Sequence, residues 1–231
     1  MRAVTRARSH PSEMRAVSWL ARALELVYAP ACAACGRPVA PGSAFCAVCR
    51  ISVDPAPPRG ALAPLAAVHA PLLFGGEAAA ALRRLKFHDR REVARALGHE
   101  LAPAMADAAR TCDRIIPVPL HRGRLARRGY NQAALIARHA RPRPGPPLDL
   151  LSLRRIRATA PQTGLDRRAR RRNVEGAFAV APGRRGRIAG GSILLVDDVL
   201  TTGATLAAAA SALLQAGARR VVGFCAARAE G

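Results

Sequence analysis

Ile193-Leu194-Leu195-Val196-Asp197-Asp198-Val199-Leu200-Thr201-Thr202-Gly203-Ala204-Thr205-Leu206 decides how this chain is read. Four apolar residues at strand length lead into two adjacent carboxylates, a Thr/Gly turn and an Ala-rich helical run to Gln215. An uninterrupted apolar run suits a strand buried on both faces, at the centre of a parallel sheet, with Asp197 and Asp198 at its carboxyl end. Ligands of open α/β sheets bind at that end. The loop Thr201-Thr202-Gly203-Ala204-Thr205 offers three hydroxyls, backbone N–H groups and a glycine that allows close approach, at the amino end of a helix whose dipole favours an anion. A phosphate fits there. Two carboxylates beside a phosphate repel it unless they face something else, and ribose hydroxyls with a divalent cation serve that purpose. The implied ligand is a sugar phosphate.

Composition sets the frame. The 231 residues hold one sizeable α/β domain and a small appendage. Half are hydrophobic but only 3% are aromatic, so Ala, Leu and Val must fill the core. The formal charge is +22, and Lys86 is the sole lysine among 37 basic residues. A bias this complete, alongside abundant Ala, Gly and Pro, fits GC-rich coding as well as selection for charge. The arginines nevertheless cluster, at 122, 124, 127 and 128, and again from 154 to 172. Guanidinium clusters serve a pyrophosphate, a nucleic-acid backbone or simply a solvated basic face. Val17–Val27 is apolar but carries Arg22 and Glu25, unlike a secretory signal. The uncharged run from Val199 to Ala218 begins at the acidic loop and reads as a buried helix, not a membrane span. A cytoplasmic protein without membrane insertion is expected.

Cys32-Ala33-Ala34-Cys35 and Cys46-Ala47-Val48-Cys49, ten residues apart, are two CxxC pairs. Each pair places two thiolates on one turn, and together they suit a tetrahedral Zn²⁺ whose role is structural, since four thiolates leave no open coordination position. A disulfide pairing is the alternative, with nothing indicating export in its favour. Cys112 and Cys225 read as buried small hydrophobes.

Along the chain, residues 1–13 are unpatterned and basic, and Met14 offers an alternative start. Met14–Tyr28 has Val17, Leu20, Leu24 and Val27 at helical spacing. The division expected is 1–13 as a disordered or non-native start, 14–55 as a helix plus cysteine module, and 56–231 as the main domain, entered through the linker Asp54–Gly60. Expected strands are Leu72–Phe74, Ile115–Pro119, Leu150–Arg157, Val174–Val180, the central run and Arg220–Phe224. Expected helices are Glu77–Leu85, a helix over Arg91–Ala109 interrupted near Pro103, one ending near Ala140, and one after the acidic loop. Between Pro119 and that third helix, His121 to Gln132 reads as a basic, glycine-containing loop suited to pyrophosphate. His121 there is either a proton-transfer residue or polar surface. The arginine block to Asn173 reads as a lid over an active site or as basic surface.

The run Val196-Asp197-Asp198-Val199-Leu200-Thr201-Thr202-Gly203-Ala204-Thr205 resembles the 5-phosphoribosyl-1-pyrophosphate (PRPP) signature of type I phosphoribosyltransferases. With the paired CxxC, Pro117-Val118-Pro119-Leu120-His121, Arg128-Gly129-Tyr130-Asn131-Gln132-Ala133 and Arg155–Leu165, the chain from about residue 16 onward resembles the ComF/GntX family of competence-associated phosphoribosyltransferase-like proteins. The resemblance implies an α/β fold with a mostly parallel sheet flanked by helices and an N-terminal zinc module. It implies that Asp197 and Asp198 face the ribose hydroxyls and act in catalysis, and that Thr201 to Thr205 cradle the 5′-phosphate. His121, Arg122 and Arg128 then belong to the pyrophosphate loop, with Lys86 beside them, and Gln162 and Arg170 to a closing loop. PRPP with Mg²⁺ is the implied ligand, Zn²⁺ the structural metal, and an unidentified acceptor the second substrate. The competing expectation is a non-catalytic DNA-uptake component that binds single-stranded DNA or a helicase partner.

Overall fold

The apolar run at 193–196 is flanked by a strand on each side, as its lack of alternation requires. The computed structural model describes residues 30–58, 62–87, 90–159 and 166–229. The segments 1–13 and Met14–Tyr28, together with Gln162, lie outside them. In chain order the strands are β1 (Ala67–His69), β2 (Leu72–Leu73), β3 (Arg114–Pro117), β4 (Leu153–Arg155), β5 (Phe178–Val180), β6 (Ser192–Leu200) and β7 (Arg220–Arg228). The helices are α1 (Ala47–Arg50), α2 (Gly76–Phe87), α3 (Glu92–Ala109), α4 (Arg122–Arg128), α5 (Gln132–Ala140), α6 (Arg167–Val174) and α7 (Ala204–Gln215).

The main sheet runs β1-β7-β6-β3, with β2 also on β7, and all its pairings are parallel. Successive side chains of β6 enter opposite cores. Leu194 and Val196 pack with Leu82, Leu97, Leu101 and Ile136 from α2, α3 and α5. Ile193 and Leu195 pack with Leu206, Ala209, Ala210 and Leu213 from α7. The uncharged run after Val199 is thus the end of β6, a turn and a 12-residue helix. Among the described residues no helix is long and apolar enough to cross a membrane.

Four expectations change. The helix expected to break at Pro103 runs unbroken from Glu92 to Ala109. Pro103 is exposed while Val93, Leu97, Leu101 and Met105 are buried, so core packing holds the helix despite a cost of about 3 kcal/mol for an interior proline. Gly98 sits where α3 crosses α5. A Cβ there would lie 2.3 Å from His139 Cβ, so only glycine permits the crossing. The basic stretch after Pro119, expected as a loop, is the helix α4. The strands expected over Leu150–Arg157 and Val174–Val180 are only the three-residue β4 and β5, paired antiparallel as a hood that sets Arg155 opposite Phe178. The arginine block contains α6, whose N-cap Asp166 accepts from the Ala169 N–H at 2.7 Å.

Two proline-bearing connections run along the outer edges of the main sheet. Beside β2, the Leu73 N–H donates to the Asp54 carbonyl at 2.9 Å and Ala56 N–H to Pro71 at 2.8 Å. Beside β3, Ile115 N–H donates to Pro147 at 3.0 Å, and Asp149 N–H to the Ile115 carbonyl at 2.8 Å.

The cysteine module shares its core with the main domain. Cys32, Ala33, Ala44, Phe45 and Cys49 belong to the same buried cluster as Leu82, Leu85 and Leu97. At the rim Arg50 meets Glu100 with two hydrogen bonds, of 2.6 and 2.7 Å.

Candidate active site and cysteine cluster

A cleft of about 540 Å³ opens at the carboxyl end of the sheet. Its floor is Asp197, Asp198 and Val199, with Thr201 and Thr205 beside them. Lys86 and Phe87 come from α2, Arg124, Arg127 and Arg128 from α4, and Arg155 and Arg170 from the hood side.

The backbone itself presents the acidic pair. Asp198 N–H donates to Asp197 Oδ1 at 2.9 Å, and Val199 N–H to Asp198 Oδ1 at 2.7 Å. One oxygen of each carboxylate is thereby used locally. Asp198 Oδ2 is buried, faces Lys86 Nζ at 3.0 Å as an ion pair, and accepts no hydrogen bond among the described residues. Asp197, partly buried, is raised from its ordinary 3.8 to about 7 by burial and then by the Asp198 charge, against the pull of the Asp198 N–H, Lys86 and Arg155.

The opposite wall has the reverse excess. Burial, then Arg128 and Arg127, push the Arg124 guanidinium down. Burial, then Arg124, does the same to Arg155, which stacks 5.2 Å over the Phe178 ring. Arg155 also donates to the Thr159 hydroxyl, and Arg124 to the Thr159 carbonyl at 3.2 Å. Crowded, partly desolvated guanidiniums favour an anion between them.

Every residue from Arg128 to Gln132 has a local task. Arg128 donates to Gln132 Oε1 at 2.7 Å. Gly129, at φ +77°, ends α4 in the left-handed conformation that glycine adopts freely. The Tyr130 hydroxyl donates to the Leu85 carbonyl. Asn131 caps α5, accepting from the Ala133 and Ala134 N–H groups at 3.0 and 3.5 Å, and its amide donates to the Val118 carbonyl at 3.0 Å. The end of β3 is so joined to the start of α5.

The structure brings together Asp197, Asp198, Thr201, Thr205, Lys86, Arg128 and Arg170 around one cleft. Thr202, Gly203 and Ala204 make the turn into α7. Gly203 has φ +81°, and Thr202 Oγ1 accepts from Ala204 N–H at 3.4 Å. His121 caps α4, its Nδ1 accepting from Gly123 N–H at 3.3 Å, and Arg122 is exposed; neither lines the cleft. Arg124, Arg127, Arg155 and Gln132 do line it; the sequence marks the three arginines only as members of basic clusters and none of the four as an individual site residue. Reading 122–128 as a helix would have found two of them, because positions 124, 127 and 128 share one face.

Away from the cleft, the sulfurs of Cys32, Cys35, Cys46 and Cys49 all lie within 4.8 Å of one another. Cys35 and Cys46 Sγ are 3.8 Å apart, far beyond a disulfide's 2.0 Å or so. That is the edge of a tetrahedron with metal–sulfur bonds of about 2.3 Å, so the donor set fits one tetrahedral ion. Burial opposes ionisation of Cys32, but the backbone N–H groups of Cys35, Cys46 and Ala34 overcome it and pull the thiol down to about 6.

Comparison with known proteins agrees with this layout. The phosphoribosyl transferase domain family matches residues 125–230. The DNA utilization protein YhgH of Escherichia coli O157:H7 is 36% identical over 199 residues, covering 84% of this chain and 82% of that protein. Competence protein F of Haemophilus influenzae is 38% identical over 140 residues, covering 54% of this chain and 56% of its own. The crystal structure of TT1426 from Thermus thermophilus aligns at TM-score 0.29 and 24% identity, over 61% of this chain and 74% of that one, too loosely to add to the assignment. At more than one third identity across four fifths of a relative's length, the chain belongs to the family of DNA utilization protein YhgH and competence protein F, with a phosphoribosyl transferase domain at its carboxyl end.

Proposed function

We propose that this protein binds PRPP with Mg²⁺ in the cleft above β6 and transfers the phosphoribosyl group to an acceptor, in the service of DNA utilisation. The observation that carries the reading is the separation of charge across one cleft, with Asp197 and Asp198 on the floor and Arg124, Arg127, Arg128 and Arg155 around it. PRPP has matching parts. Its ribose hydroxyls suit the carboxylates, its pyrophosphate suits the α4 arginines and Lys86, and its 5′-phosphate suits the Thr201–Thr205 turn with its hydroxyls and N–H groups. The carboxylates are hard oxygen donors, which fits Mg²⁺, and the ion would supply neutralising charge on the departing pyrophosphate.

Breaking the C1′–pyrophosphate bond leaves the sugar with oxocarbenium character. In this reading the two carboxylates stabilise that developing positive charge, and the guanidiniums the negative charge gained by the leaving group. Arg170 and the hood supply cover that excludes water. The cysteine cluster takes Zn²⁺ in a structural role, consistent with its closed set of four sulfurs. A cytoplasmic setting completes the reading, since cysteines kept as thiolate metal ligands suit a reducing compartment.

Calorimetric titration of the zinc-loaded chain with PRPP and Mg²⁺ tests the reading. Saturable binding that Asp197→Asn/Asp198→Asn abolishes supports it, and absence of binding to the wild type refutes it.

A second reading, single-stranded DNA on the basic surface, is favoured by a groove of about 540 Å³ between α6 and α7 that Arg168, Arg171 and Arg172 line. Its signature is an affinity whose logarithm falls with log salt by about 0.7 for each phosphate contact. The two readings separate under competition, because PRPP leaves DNA in that groove undisturbed.

A further inference from the structure

The last turn of α2 touches several bodies at once. Arg84 Nη1 donates to the carbonyl oxygens of Cys32 and Ala33, both at 3.0 Å, inside the first cysteine knuckle. Residue 36 leaves room for that guanidinium by being glycine. A Cβ there would lie 3.2 Å from Arg84 Nη2, and its φ of +82° disfavours a side chain. Leu85, fully buried, gives its carbonyl to the Tyr130 hydroxyl. Lys86 Nζ meets Asp198 at 3.0 Å. The Arg128 guanidinium lies 5.7 Å over the Phe87 ring.

The final carbonyls of a helix have no intrahelical donors, and a last turn frays unless outside groups hold it. Tyr130 holds this one at Leu85. Arg84 holds it to the loop that presents Cys32 and Cys35, so anything that fixes those thiolates fixes the carbonyls the guanidinium grips. Lys86 is a flexible side chain with about 2 kcal/mol of rotamer entropy, and its hold on Asp198 depends on where its own turn is held.

We propose that Arg84 is a positioning residue through which the metal-loaded cysteine cluster holds Lys86 in the cleft, so that metal and anionic ligand bind cooperatively. This rests on reading the cleft as a PRPP site. Only one residue separates the side chain that grips the knuckle from the side chain that meets the acidic pair. The coupling is reciprocal: the factor by which bound metal tightens the ligand is the factor by which ligand tightens the metal.

The test uses the zinc-loaded full chain, Arg84→Ala and Arg84→Lys. Zinc content, affinity for PRPP with Mg²⁺, and backbone hydrogen exchange along α2 are measured for each. Arg84→Ala should keep its zinc yet bind PRPP about tenfold more weakly, within the usual span of coupling between sites. Exchange in the last turn of α2 should quicken while buried β6 stays protected, and Arg84→Lys should recover part of both losses. PRPP should slow zinc loss to a chelator in the wild type and not in Arg84→Ala. Wild-type PRPP affinity in Arg84→Ala, or unchanged exchange in that turn, overturns the proposal. Should Arg84→Ala fail to fold, Arg84→Gln, which keeps a donor for one carbonyl, gives the same comparison. If the wild type binds no PRPP, the reading of the cleft fails by itself, and the exchange data still decide whether the cluster orders the turn that bears Lys86.

Discussion

Removing the charge of Asp197 should make the ligand-free protein more stable while destroying its ligand site. Burial and the neighbouring Asp198 raise this carboxyl from 3.8 to about 7 in the folded state. The unfolded chain releases the proton near the ordinary value. Across the window from about pH 4 to 7 the folded state therefore binds more protons than the unfolded one, and stability falls as pH rises. Above the window the loss is complete; below it there is none. A shift of this size is worth about 4 kcal/mol for a group wholly withdrawn from water. Asp197 is only partly buried, and solvent screening reduces the figure to about 1–2 kcal/mol. Asp197→Asn keeps the shape without the charge, so it should melt about 2–8 °C above wild type at pH 8 for a chain of this length. The gap should close toward pH 4. Thermal melts of both zinc-loaded proteins at pH 4.5, 6 and 8 without PRPP measure this. Equal melting temperatures at pH 8, or a gap that does not vary with pH, would refute the electrostatic account of the cleft.

Asp149 works in the opposite direction. Burial opposes its charge, but the Ser152 hydroxyl, the N–H groups of Leu151 and Ser152, and Arg114 together hold its carboxyl below the usual range. Its contribution is present above the ordinary value near 3.8 and is lost as pH falls through the lower folded-state value. Asp149→Asn should cost about 2 kcal/mol in urea unfolding at pH 7, and the difference from wild type should shrink in strong acid. Gly98→Ala should cost about 3 kcal/mol by forcing α3 off α5, which urea unfolding at constant m-value would show. Cys49→Ser should lower metal content from one ion per chain toward none and reduce the melting temperature by at least about 5 °C, because the cluster's binding energy is also folding energy.

Residue types that admit one backbone solution made parts of this structure legible in advance. An apolar run without alternation has to be a central strand, and two carboxylates after it have to emerge at the carboxyl edge. Paired CxxC spacing brought four sulfurs together for the same reason. Lys86, conspicuous in the sequence for its rarity and expected beside the pyrophosphate loop, is the partner of Asp198. The failures share a cause in tertiary context. In α4 the only apolar residues are the adjacent Leu125 and Ala126, and no periodicity marks a helix whose limits come from the His121 cap and Gly129. The strand β1, Ala67-Val68-His69, is too short and mixed to stand out until β7 supplies its ladder. Nothing in the run of arginines set Arg155 apart from its neighbours, since its burial comes from pairing of the hood and not from its neighbours in sequence. Pro103 misled because a local penalty was weighed without the buried stripe that outweighs it.

The connections at 54–56 and 147–149 have a consequence for how copies of this chain meet in a crowded solution. A sheet's outermost strand exposes donors and acceptors that invite another chain to add a strand, the first step of many aggregates. Here the outer edges of β2 and β3 are each met by a segment beginning at or beside a proline, Pro55 on one side and Pro147 on the other. Proline has no N–H to pass the ladder on. A chain half of whose residues are hydrophobic can thus keep the apolar run Ile193–Val196 at the centre of its sheet while the edges at β2 and β3 offer its neighbours less of a template on which to grow.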